Sequence, residues 1–489
     1  MRPKLPPSRT LADICAFLGL VQAGQDVTIT GVASDSRAVE MGDIFFALPG
    51  ERTHGNDFIE AALERGARAI ITDESRGTNS SRSPLLVISK PRSICGPFAD
   101  WFYGSPSRNA YVTGITGTNG KTTTTHLIHQ IWRFIGRPAG LIGTVGIKFN
   151  DQIFPTTHTT PESDVIQQNL AAMVESQIRN IAMEASSHAI HQNRLSGTHF
   201  TSVGFTNLTQ DHLDYHGDMA QYFAAKKSLF TSEYAERAFV VIDGEYGKKL
   251  VEQMEIPVQT LSIGGRADWY YESIEKTISG FSVAIRSSAG ILISGEIKLL
   301  GMHNLENLLL AIAIAIDSGV DPVDVANSLP FLTGAPGRLE RVKLASPFQA
   351  LVDYAHTPDA VARVLASLKA AQPGRLIGVL GCGGDRDRSK RALMGQALND
   401  GCDVPIFTSD NPRSEDPESI LHEMTSGILL KDSAKVIVDR RQAIRYATSI
   451  AEAGDTIILL GKGHETGQEV NGEKLPFDDR EELKLAVAR

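Results

Sequence analysis

A glycine-rich loop lies between a predicted strand at residues 110–113 and a predicted helix that begins at Lys121. It reads Gly-Ile-Thr-Gly-Thr-Asn-Gly-Lys-Thr over residues 114–122, with Ile115 where the strict phosphate-loop motif has a glycine. Glycines let backbone N–H groups turn towards anionic oxygens, and the helix N-terminus adds partial positive charge. Lys121 would reach the outer phosphates of a nucleotide, and the Thr122 hydroxyl would hold a magnesium ion. The loop therefore predicts a P-loop, nucleotide-binding domain.

Length and composition limit the class of protein. A chain of 489 residues is too long for one hydrophobic core, so two or three domains are expected. The formal net charge of −9 argues against a nucleic-acid-binding surface. The longest apolar run, residues 308–316, is too short to span a bilayer, and the N-terminus lacks the apolar segment of a signal peptide. With four scattered cysteines, these features predict a cytoplasmic protein with reduced thiols and no membrane insertion.

Alternating strand and helix patterns predict an α/β protein with three domains. We expect a small N-terminal α/β domain at residues 1–106, a central parallel-sheet nucleotide-binding domain at 107–335 and a C-terminal doubly wound, Rossmann-like domain at 336–489. Helices are predicted at residues 58–66 and 308–316. Further strands are predicted at residues 27–32, 43–48, 67–72, 141–148, 181–183, 350–354, 376–380, 404–408, 435–438 and 456–460.

Two polar residues of the central region follow predicted strands. Glu184 stands at the carboxyl end of the strand at 181–183, which is where ligands bind in open α/β sheets. His212 lies in the polar segment that follows the next short strand. Together with Thr122, these side chains could share a divalent cation, because oxygen and imidazole ligands suit magnesium or manganese. The alternative is that the histidine is structural.

Two predicted helices carry further candidates. Lys226 is of interest on the first, with Lys227 as its control, although periodicity alone does not separate a functional lysine from a solvated one. Asn304 and Asn307 lie three residues apart on one face of the second helix. Amides so placed can read an adenine edge, and helix capping by Asn304 is the alternative interpretation.

Four polar clusters follow predicted strands of the C-terminal region, at residues 353–356, 381–388, 410–413 and 461–465. The carboxyl ends of strands in such a sheet meet at one edge, so the clusters should converge. Arg386 and Arg413 would bind carboxylates through their guanidinium groups. Asp410 and Glu465 could hold an ammonium group. A site with both kinds of side chain predicts a zwitterionic ligand such as an amino acid.

The chain resembles the Mur ligases over its whole length, in motifs that occur in the same order. They span residues 114–122, 183–188, 206–216, 300–307, 353–358, 410–413 and 461–465. The resemblance implies an ATP-dependent amide ligase of cytoplasmic peptidoglycan synthesis, whose three domains bind a UDP-sugar, ATP and an amino acid in turn. The departure at Ile115 is the form that this family uses.

The resemblance also implies roles for individual residues. The ATP phosphates would be held by Gly117, Thr118, Asn119, Gly120, Lys121 and Thr122, and the magnesium region would comprise Thr122, Glu184, His212 and a carbamylated Lys226. The rest of the nucleotide would meet Asn304 and Asn307 (adenine), Arg338 (phosphate) and Asp353 (ribose). The muramoyl dipeptide would be bound by Thr159, Thr160, Ser186, Gln192 and Arg194, and the uridine end by Ser34 and Ser36. His158 departs from relatives that carry asparagine there. The amino acid would be bound by Arg386, Asp410, Asn411, Arg413, Gly461 and Glu465.

In the implied reaction, the D-glutamyl carboxylate of UDP-N-acetylmuramoyl-L-alanyl-D-glutamate attacks the γ-phosphorus of ATP. The amine of the incoming amino acid then attacks the acyl phosphate, and a tetrahedral intermediate loses phosphate. Lys121, magnesium and Arg338 would offset the charge on the transferring phosphoryl group. Arg413 favours meso-diaminopimelate, because lysine would leave the guanidinium without a carboxylate partner. We expect a monomer.

Other functions remain open at this stage. An L-lysine-adding relative and a folylpolyglutamate synthetase-like ligase are the enzyme alternatives. Residues 214–217 match the Asp-x-x-Gly pattern of GTPase switches, but the sequence has no Asn-Lys-x-Asp guanine signature. A binding protein without catalysis is the last alternative, against which the intact Lys121, Glu184, His212 and Lys226 argue.

Overall fold

The computed structural model describes residues 1–22, 26–50, 53–73, 83–277, 280–369 and 374–488. Three α/β units follow one another along the chain, each built on its own sheet. The predicted fold class is confirmed. Every helix in the described parts of the chain is too short or too polar to span a bilayer.

The N-terminal unit contains a parallel sheet in the order β3-β4-β5-β6, with a separate pair β1-β2. Its strands are β1 Arg9–Thr10, β2 Thr28–Ile29, β3 Gly31–Ala33, β4 Asp43–Phe46, β5 Ala69–Thr72 and β6 Leu85–Val87. Its helices are α1 Leu11–Leu18, α2 Ile59–Glu64 and α3 Pro91–Phe102, with 3-10 helices at Ser36–Ala38, Gly55–Phe58 and Pro106–Asn109.

Two predictions for this unit were wrong in detail. The single strand expected at 27–32 is two strands in different sheets, because the backbone N–H of Thr30 donates to Gly42 between them. The helix expected at 58–66 is shorter, because α2 covers only Ile59–Glu64. The preceding residues form the 3-10 helix Gly55–Phe58, which is capped by the His54 ring through a hydrogen bond from the N–H of Asn56.

The central unit holds a mixed sheet of eleven described strands, ordered β10-β9-β8-β11-β7-β12-β13-β14-β15-β16-β17. The strands are β7 Tyr111–Thr116, β8 Ala139–Gly143, β9 Gly146–Phe149, β10 Gln152–Phe154, β11 Asn180–Glu184, β12 Phe200–Phe205, β13 Ala235–Val241, β14 Val258–Ser262, β15 Trp269–Lys276, β16 Phe281–Ser287 and β17 Leu292–Ile297. The helices are α4 Lys121–Phe134, α5 Ser163–Glu175, α6 Ser187–His191, α7 Leu213–His216, α8 Met219–Lys227, α9 Glu245–Val251, α10 His303–Asp317 and α11 Pro322–Ser328, with a 3-10 helix at Leu329–Phe331.

The centre of this sheet is parallel, as predicted, and its two margins are antiparallel. The strand predicted at 141–148 is in fact the hairpin β8-β9, in which Gly143 pairs with Gly146. Gly146 turns the chain at a φ of 130°, a left-handed value that glycine adopts without strain. Helix α10 is apolar on every side over residues 308–315, as expected for a helix buried against α4 and the sheet.

The C-terminal unit is a sheet in the order β18-β19-β23-β20-β21-β22, parallel except at β18. Its strands are β18 Glu340–Arg341, β19 Gln349–Asp353, β20 Leu376–Leu380, β21 Val404–Phe407, β22 Lys435–Val436 and β23 Thr456–Leu460, followed by the hairpin β24 Gly467–Val470 and β25 Glu473–Pro476. Its helices are α12 Pro358–Lys369, α13 Ser389–Gly401, α14 Pro417–Thr425, α15 Arg440–Ile450 and α16 Asp479–Val487. The strands predicted at 376–380 and 456–460 are confirmed to the residue.

Candidate active site

The glycine loop joins β7 to α4 and packs closely against its neighbours. Gly117 and Gly120 have φ values of 149° and 90°, which favour glycine. A Cβ at Gly120 would lie 2.2 Å from Asn307 Oδ1, and one at Gly117 would lie 1.9 Å from Thr206 Oγ1. Larger residues are therefore excluded, and the loop backbone lies directly beside the face of α10 that carries Asn307.

Two lysines share one carbonyl of this loop. Lys121 Nζ donates to the carbonyl oxygens of Gly117 and Thr118, at 2.8 Å each, and Lys226 Nζ donates to Gly117 at 2.9 Å. Lys226 is 1% exposed and lies 4.7 Å from the centre of the Tyr222 ring. Burial lowers the pKa of both lysines, and for Lys226 the charge of Lys121 lowers it further. The two amines therefore lie side by side at the mouth of the loop.

Glu184 is a fixed anion beside these cations. It ends β11, is fully buried, and accepts hydrogen bonds from the Thr122 hydroxyl at 2.9 Å and from the Thr144 N–H and hydroxyl at 2.8 and 3.1 Å. Its position at a parallel strand end agrees with the sequence-based expectation. Thr144 was missed because it lies in the turn of the hairpin that the sequence reading merged into one strand.

His212 contacts side chains other than Thr122 and Glu184. Its Nε2 lies 3.4 Å from Asp211 Oδ2, and its ring centre lies 4.8 Å from that of His188. Partial burial lowers the pKa of His212 to about 4, so its imidazole is neutral at pH 7. Among the described residues, no three His, Cys, Asp or Glu side chains gather as a metal cluster. The structure thus joins Thr122 to Glu184, while Lys226 and His212 bind other partners.

A cleft of about 730 Å³, which includes space open to solvent, lies between the loop, α10 and the C-terminal unit. Asn304 and Asn307 both line it, and Asn307 Nδ2 donates to Asn304 Oδ1 at 3.0 Å, so the two amides do share a face. The capping interpretation of Asn304 was wrong, because α10 begins at His303 and the Asn304 amide donates to Leu300.

Arg338 reaches this cleft from the segment between the central and C-terminal units. Its guanidinium lies 4.4 Å from the centre of the Tyr354 ring, and Nη2 lies 3.5 Å from Thr122 Oγ1. Asp353, at the end of β19, accepts backbone N–H bonds from Leu339 and Ala355 at 2.7 Å each. Burial raises the pKa of Asp353. The linker arginine and the strand-end carboxylate therefore line the same cleft.

The five residues expected to bind the muramoyl dipeptide lie together near Glu184. The Thr160 hydroxyl donates to the Glu184 carbonyl at 2.8 Å and lies 3.2 Å from Ser186 Oγ. Arg194 Nη2 donates to Gln192 Oε1 at 2.7 Å. Two further contacts complete the group: Thr144 Oγ1 to Thr159 Oγ1 at 3.1 Å and Arg194 Nε to Glu162 Oε1 at 3.0 Å. His158 is exposed and bonds the neighbouring Thr157 hydroxyl.

Ser34 connects the N-terminal unit to this region. Its N–H and hydroxyl donate to Asp164, at 2.9 and 2.8 Å. Burial raises the pKa of Asp164 to about 6. Ser36 begins the 3-10 helix Ser36–Ala38. The Ser34 hydroxyl is thus already bonded to the central unit, a contact that sequence spacing of 130 residues does not reveal.

The four polar clusters of the C-terminal unit converge, as predicted, and the 353–356 cluster joins the others where the ring centres of Tyr354 and His464 lie 5.5 Å apart. A Cβ at Gly461 would lie 2.6 Å from Asp410 Oδ2, and Asn411 Nδ2 donates to Glu465 Oε2 at 2.9 Å. Arg413, at a φ of 52°, donates to the Gly384 carbonyl at 2.5 Å. Its Nε lies 3.3 Å from Glu469 Oε2, and Arg386 is exposed in the loop before α13.

Asp410 differs from its neighbours in this pocket. It is 7% exposed, and within the described part of the chain its carboxylate makes no hydrogen bond or ion pair. Burial raises the pKa of Asp410, while the charge of Lys462 opposes that rise. A buried anion without a donor is costly, so the pocket is suited to a cationic ligand group.

An ion pair links the C-terminal unit to the loop that follows β12 in the central unit. Lys390, at the start of α13, lies 2.9 Å from Asp211 Oδ1, next to His212. The charges of His212 and Lys390 lower the pKa of Asp211 to about 2, against the effect of burial. This contact was not predicted, since the two residues lie 179 positions apart in the sequence.

Comparison with known proteins identifies the family. The Mur ligase family catalytic domain matches residues 28–93, the Mur ligase middle domain matches 115–315, and the Mur ligase glutamate ligase domain matches 337–463. The chain belongs to the Mur ligase family. Its resemblance to that family is therefore confirmed, and so is its class, an ATP-dependent ligase.

Relatives of this Mur ligase match it over nearly its full length. A UDP-N-acetylmuramoyl-L-alanyl-D-glutamate–2,6-diaminopimelate ligase of Geobacillus thermodenitrificans is 42% identical, covering 96% of each chain. One of Streptomyces coelicolor is 40% identical, covering 100% of this chain and 98% of the relative. A solved structure of a ligase with that name is 33% identical, with a TM-score of 0.69, covering 97% of this chain and 98% of the other.

Proposed function

We propose that this Mur ligase adds meso-diaminopimelate to UDP-N-acetylmuramoyl-L-alanyl-D-glutamate at the expense of ATP, in cytoplasmic peptidoglycan synthesis. The relatives named for this reaction support the proposal. The observation that carries it is the amino-acid pocket, where the unpartnered carboxylate of Asp410 lies with Arg413 and Arg386 on one sheet edge. That pocket offers an anion for an ammonium and guanidinium groups for carboxylates.

The three units would divide the substrates among them. We propose domains at residues 1–106, 107–335 and 336–489, which bind the UDP-sugar, ATP and the amino acid, and a chain that acts as a monomer. Ser34 and Ser36 would contact the uridine end of the UDP-sugar. The hydroxyl groups of Thr159, Thr160 and Ser186, which lie near Glu184, would contact the dipeptide.

ATP fits the cleft beside the glycine loop. Lys121 would leave its loop carbonyls for the phosphates, and Arg338 would approach the transferring group from the opposite unit. Asn304 and Asn307 would meet the adenine, and Asp353 the ribose. The Thr122 hydroxyl and the Glu184 carboxylate are oxygen donors that suit magnesium, and the neutral imidazole of His212 would have to leave Asp211 to join them. When bound, the metal would offset phosphate charge.

Lys226 is suited to carbamylation. Its amine is buried next to a second cation, and the resulting low pKa favours the neutral, nucleophilic form. The amine nitrogen would bond to the carbon of carbon dioxide and release a proton. The carbamate oxygen atoms would then be anionic, and Lys121 would be a suitable counter-ion.

The chemistry would proceed between the loop and the amino-acid pocket. Lys121 and Arg338 would stabilise the charge that spreads over the phosphoryl group while the acyl phosphate forms. Asp410 would hold one ammonium group of the amino acid. The cleft between units would keep water from the acyl phosphate.

The test is phosphate release from ATP in the presence of the UDP-dipeptide, with meso-diaminopimelate or L-lysine added in parallel. Release that depends on diaminopimelate is expected. Release mainly with lysine would retain the ligase but overturn the specificity assigned to Arg413. No release with either amino acid would overturn the proposed function, and folate with L-glutamate would then test the folylpolyglutamate alternative.

Lys226 and Lys227 provide a matched pair for the same assay. Lys227 donates to Gln253 on the surface at 2.8 Å, so Lys227→Met should retain activity. Lys226→Met should lose it, and bicarbonate should not restore it. Intact-mass measurement of the unaltered protein should find the carbamate mass only before acid treatment.

A further inference from the structure

Lys462 is a fully buried cation at the end of β23. Its Nζ donates to Gly467 O at 2.7 Å, to Asn411 Oδ1 at 3.0 Å and to Glu465 Oε2 at 3.1 Å. All three hydrogens of the ammonium are therefore used. An ammonium with 0% side-chain exposure keeps its charge effective over longer distances than a solvated one.

These contacts tie together separate parts of the amino-acid pocket. Asn411 Oδ1 accepts from Lys462 and also from the backbone N–H of Glu469 at 3.0 Å. The backbone N–H of Arg413 donates to the Glu469 carbonyl at 3.0 Å. Through Gly467, Lys462 thus fixes the hairpin β24-β25, whose Glu469 faces Arg413.

The charge of Lys462 also acts on Asp410. Burial raises the pKa of Asp410, and Lys462 is the first group that works against that rise. Asp410 makes no contact of its own with a donor among the described residues, and the charge of Arg440 favours its ionised form in addition to that of Lys462.

Resting on the proposed function, we infer that Lys462 is a positioning residue that sets the charge of the pocket and thereby selects diaminopimelate over lysine. Diaminopimelate carries two carboxylates and two ammonium groups, whereas lysine has one carboxylate and two ammonium groups. Removing a buried cation makes the pocket more negative by one charge. The sign of Coulomb's law then favours the ligand with the greater positive charge, which is lysine.

The experiment measures kcat/KM for meso-diaminopimelate and for L-lysine with the full chain, ATP and the UDP-dipeptide. Lys462→Met should lower the ratio of the two values by about tenfold or more. The matched control is Lys484→Met, because Lys484 forms an i,i+3 pair with Glu481 on the surface, as Lys462 does with Glu465 in the pocket. The control should leave the ratio unchanged.

Further variants separate charge from packing. Lys462→Arg keeps the charge and should keep most of the preference for diaminopimelate. Lys462→Gln loses the charge and should lower the ratio as Lys462→Met does. The glutamine variant provides the test if the methionine variant does not fold. In Lys462→Met combined with Glu465→Gln, the pocket regains its original net charge. The ratio should then move back towards that of the unaltered enzyme, even though overall activity stays low.

A merely structural lysine would change the stability and the total activity of the enzyme but not the ratio. An unchanged ratio in both neutral variants therefore overturns the inference. If the unaltered enzyme releases no phosphate with either amino acid, the proposed function itself fails, and that result is seen before any variant is made.

Discussion

The phosphate loop and the amino-acid pocket hold their charges in opposite ways. At the loop, the amines of Lys121 and Lys226 both donate to the carbonyl of Gly117, so both already have a backbone partner next to the place that the phosphates would occupy. In the pocket, the carboxylate of Asp410 is buried, and none of the described residues donates a hydrogen bond to it. When a ligand binds, the loop must give up lysine–carbonyl hydrogen bonds. The pocket instead gains a partner for Asp410 that the described residues do not supply.

The two arrangements have opposite effects on the stability of the protein without ligand and on the free energy of ligand binding. Contacts within the loop stabilise the protein without ligand and cost free energy when they are exchanged for phosphate contacts. An unpartnered buried anion does the reverse: it destabilises the protein without ligand and improves binding of a cationic group. Mutations in the two regions should therefore have opposite effects on stability.

The largest effect is expected for Lys121→Met. The variant keeps the aliphatic stem but loses the cation, so kcat should fall by about 10²–10³-fold, the range for losing one charge-stabilising donor. The free energy of unfolding should change little or fall, since two hydrogen bonds to loop carbonyls are lost. Phosphate release in steady state measures the first effect and thermal unfolding the second. A loss smaller than fivefold would show that the lysine acts only in its resting contacts.

Asp410→Asn tests the other side of the comparison. The KM for the amino acid should rise by about 10- to 100-fold because the ammonium loses its charged partner. The same variant should unfold at a higher temperature, by an amount equivalent to about 1 kcal/mol, since an amide replaces a buried anion without a donor.

The pH dependence of that stability gain has a definite sign. The pKa of Asp410 is raised in the folded protein, so the cost of its charge is present at neutral pH and is relieved as the pH falls through the raised pKa. The gap in thermal stability between Asp410→Asn and the unaltered protein should therefore narrow in acid. A variant that is less stable at neutral pH would mean that Asp410 has a donor in solution.

The sequence predicted the loop better than the pocket's internal contacts, for physical reasons. The glycine spacing around Lys121 is local and fixes strand, turn and helix within a few residues. Strand ends also placed the 410–413 and 461–465 clusters on one edge, because parallel strands share a direction. The burial of Lys462 and the missing donor at Asp410 depend on packing between distant segments, which periodicity does not encode.

Two β-rich regions show the same limit in the fold. The prediction merged β8 and β9 because Thr144 and its neighbour are good strand formers, and only the pairing of the hairpin separates them. The antiparallel margin from β15 to β17 received no prediction. Its burial alternates along β16, yet strand order depends on pairing with neighbours rather than on that alternation.

A smaller effect on kcat is expected at the ion pair between the C-terminal unit and the central unit. Lys390→Met removes the ion pair with Asp211, so the pocket loop before α13 would be held less firmly against the loop that carries His212. We expect kcat to fall by about three- to sixfold, because such a pair contributes up to about 1 kcal/mol. The kcat of the variant should also depend less on salt concentration, since the screened ion pair is gone. Lys369→Met is the control, since Lys369 pairs with Asp403 within the C-terminal unit.

The same pair should be visible in acid unfolding. The folded pKa of Asp211 is about 2, below its usual value, so its stabilising effect is present above about pH 4 and is lost as the pH falls towards 2. The difference in stability between Lys390→Met and the unaltered protein should vanish over that window. A difference that persists at pH 2 would assign the effect to packing of the lysine stem.

The smallest effect should come from Tyr354, which supports the one arginine that enters the phosphate cleft from the linker. Its ring lies 4.4 Å from the Arg338 guanidinium, a cation–π contact worth about 0.5–2 kcal/mol. Tyr354→Leu should raise the KM for ATP by about two- to tenfold and lower kcat less. Tyr354→Phe should match the unaltered enzyme, because the ring face and not the hydroxyl contacts the arginine. If Tyr354→Leu and Tyr354→Phe raised the KM for ATP equally, the Tyr354 hydroxyl would carry the effect. The stacking of Arg338 on the ring would then not contribute to ATP binding.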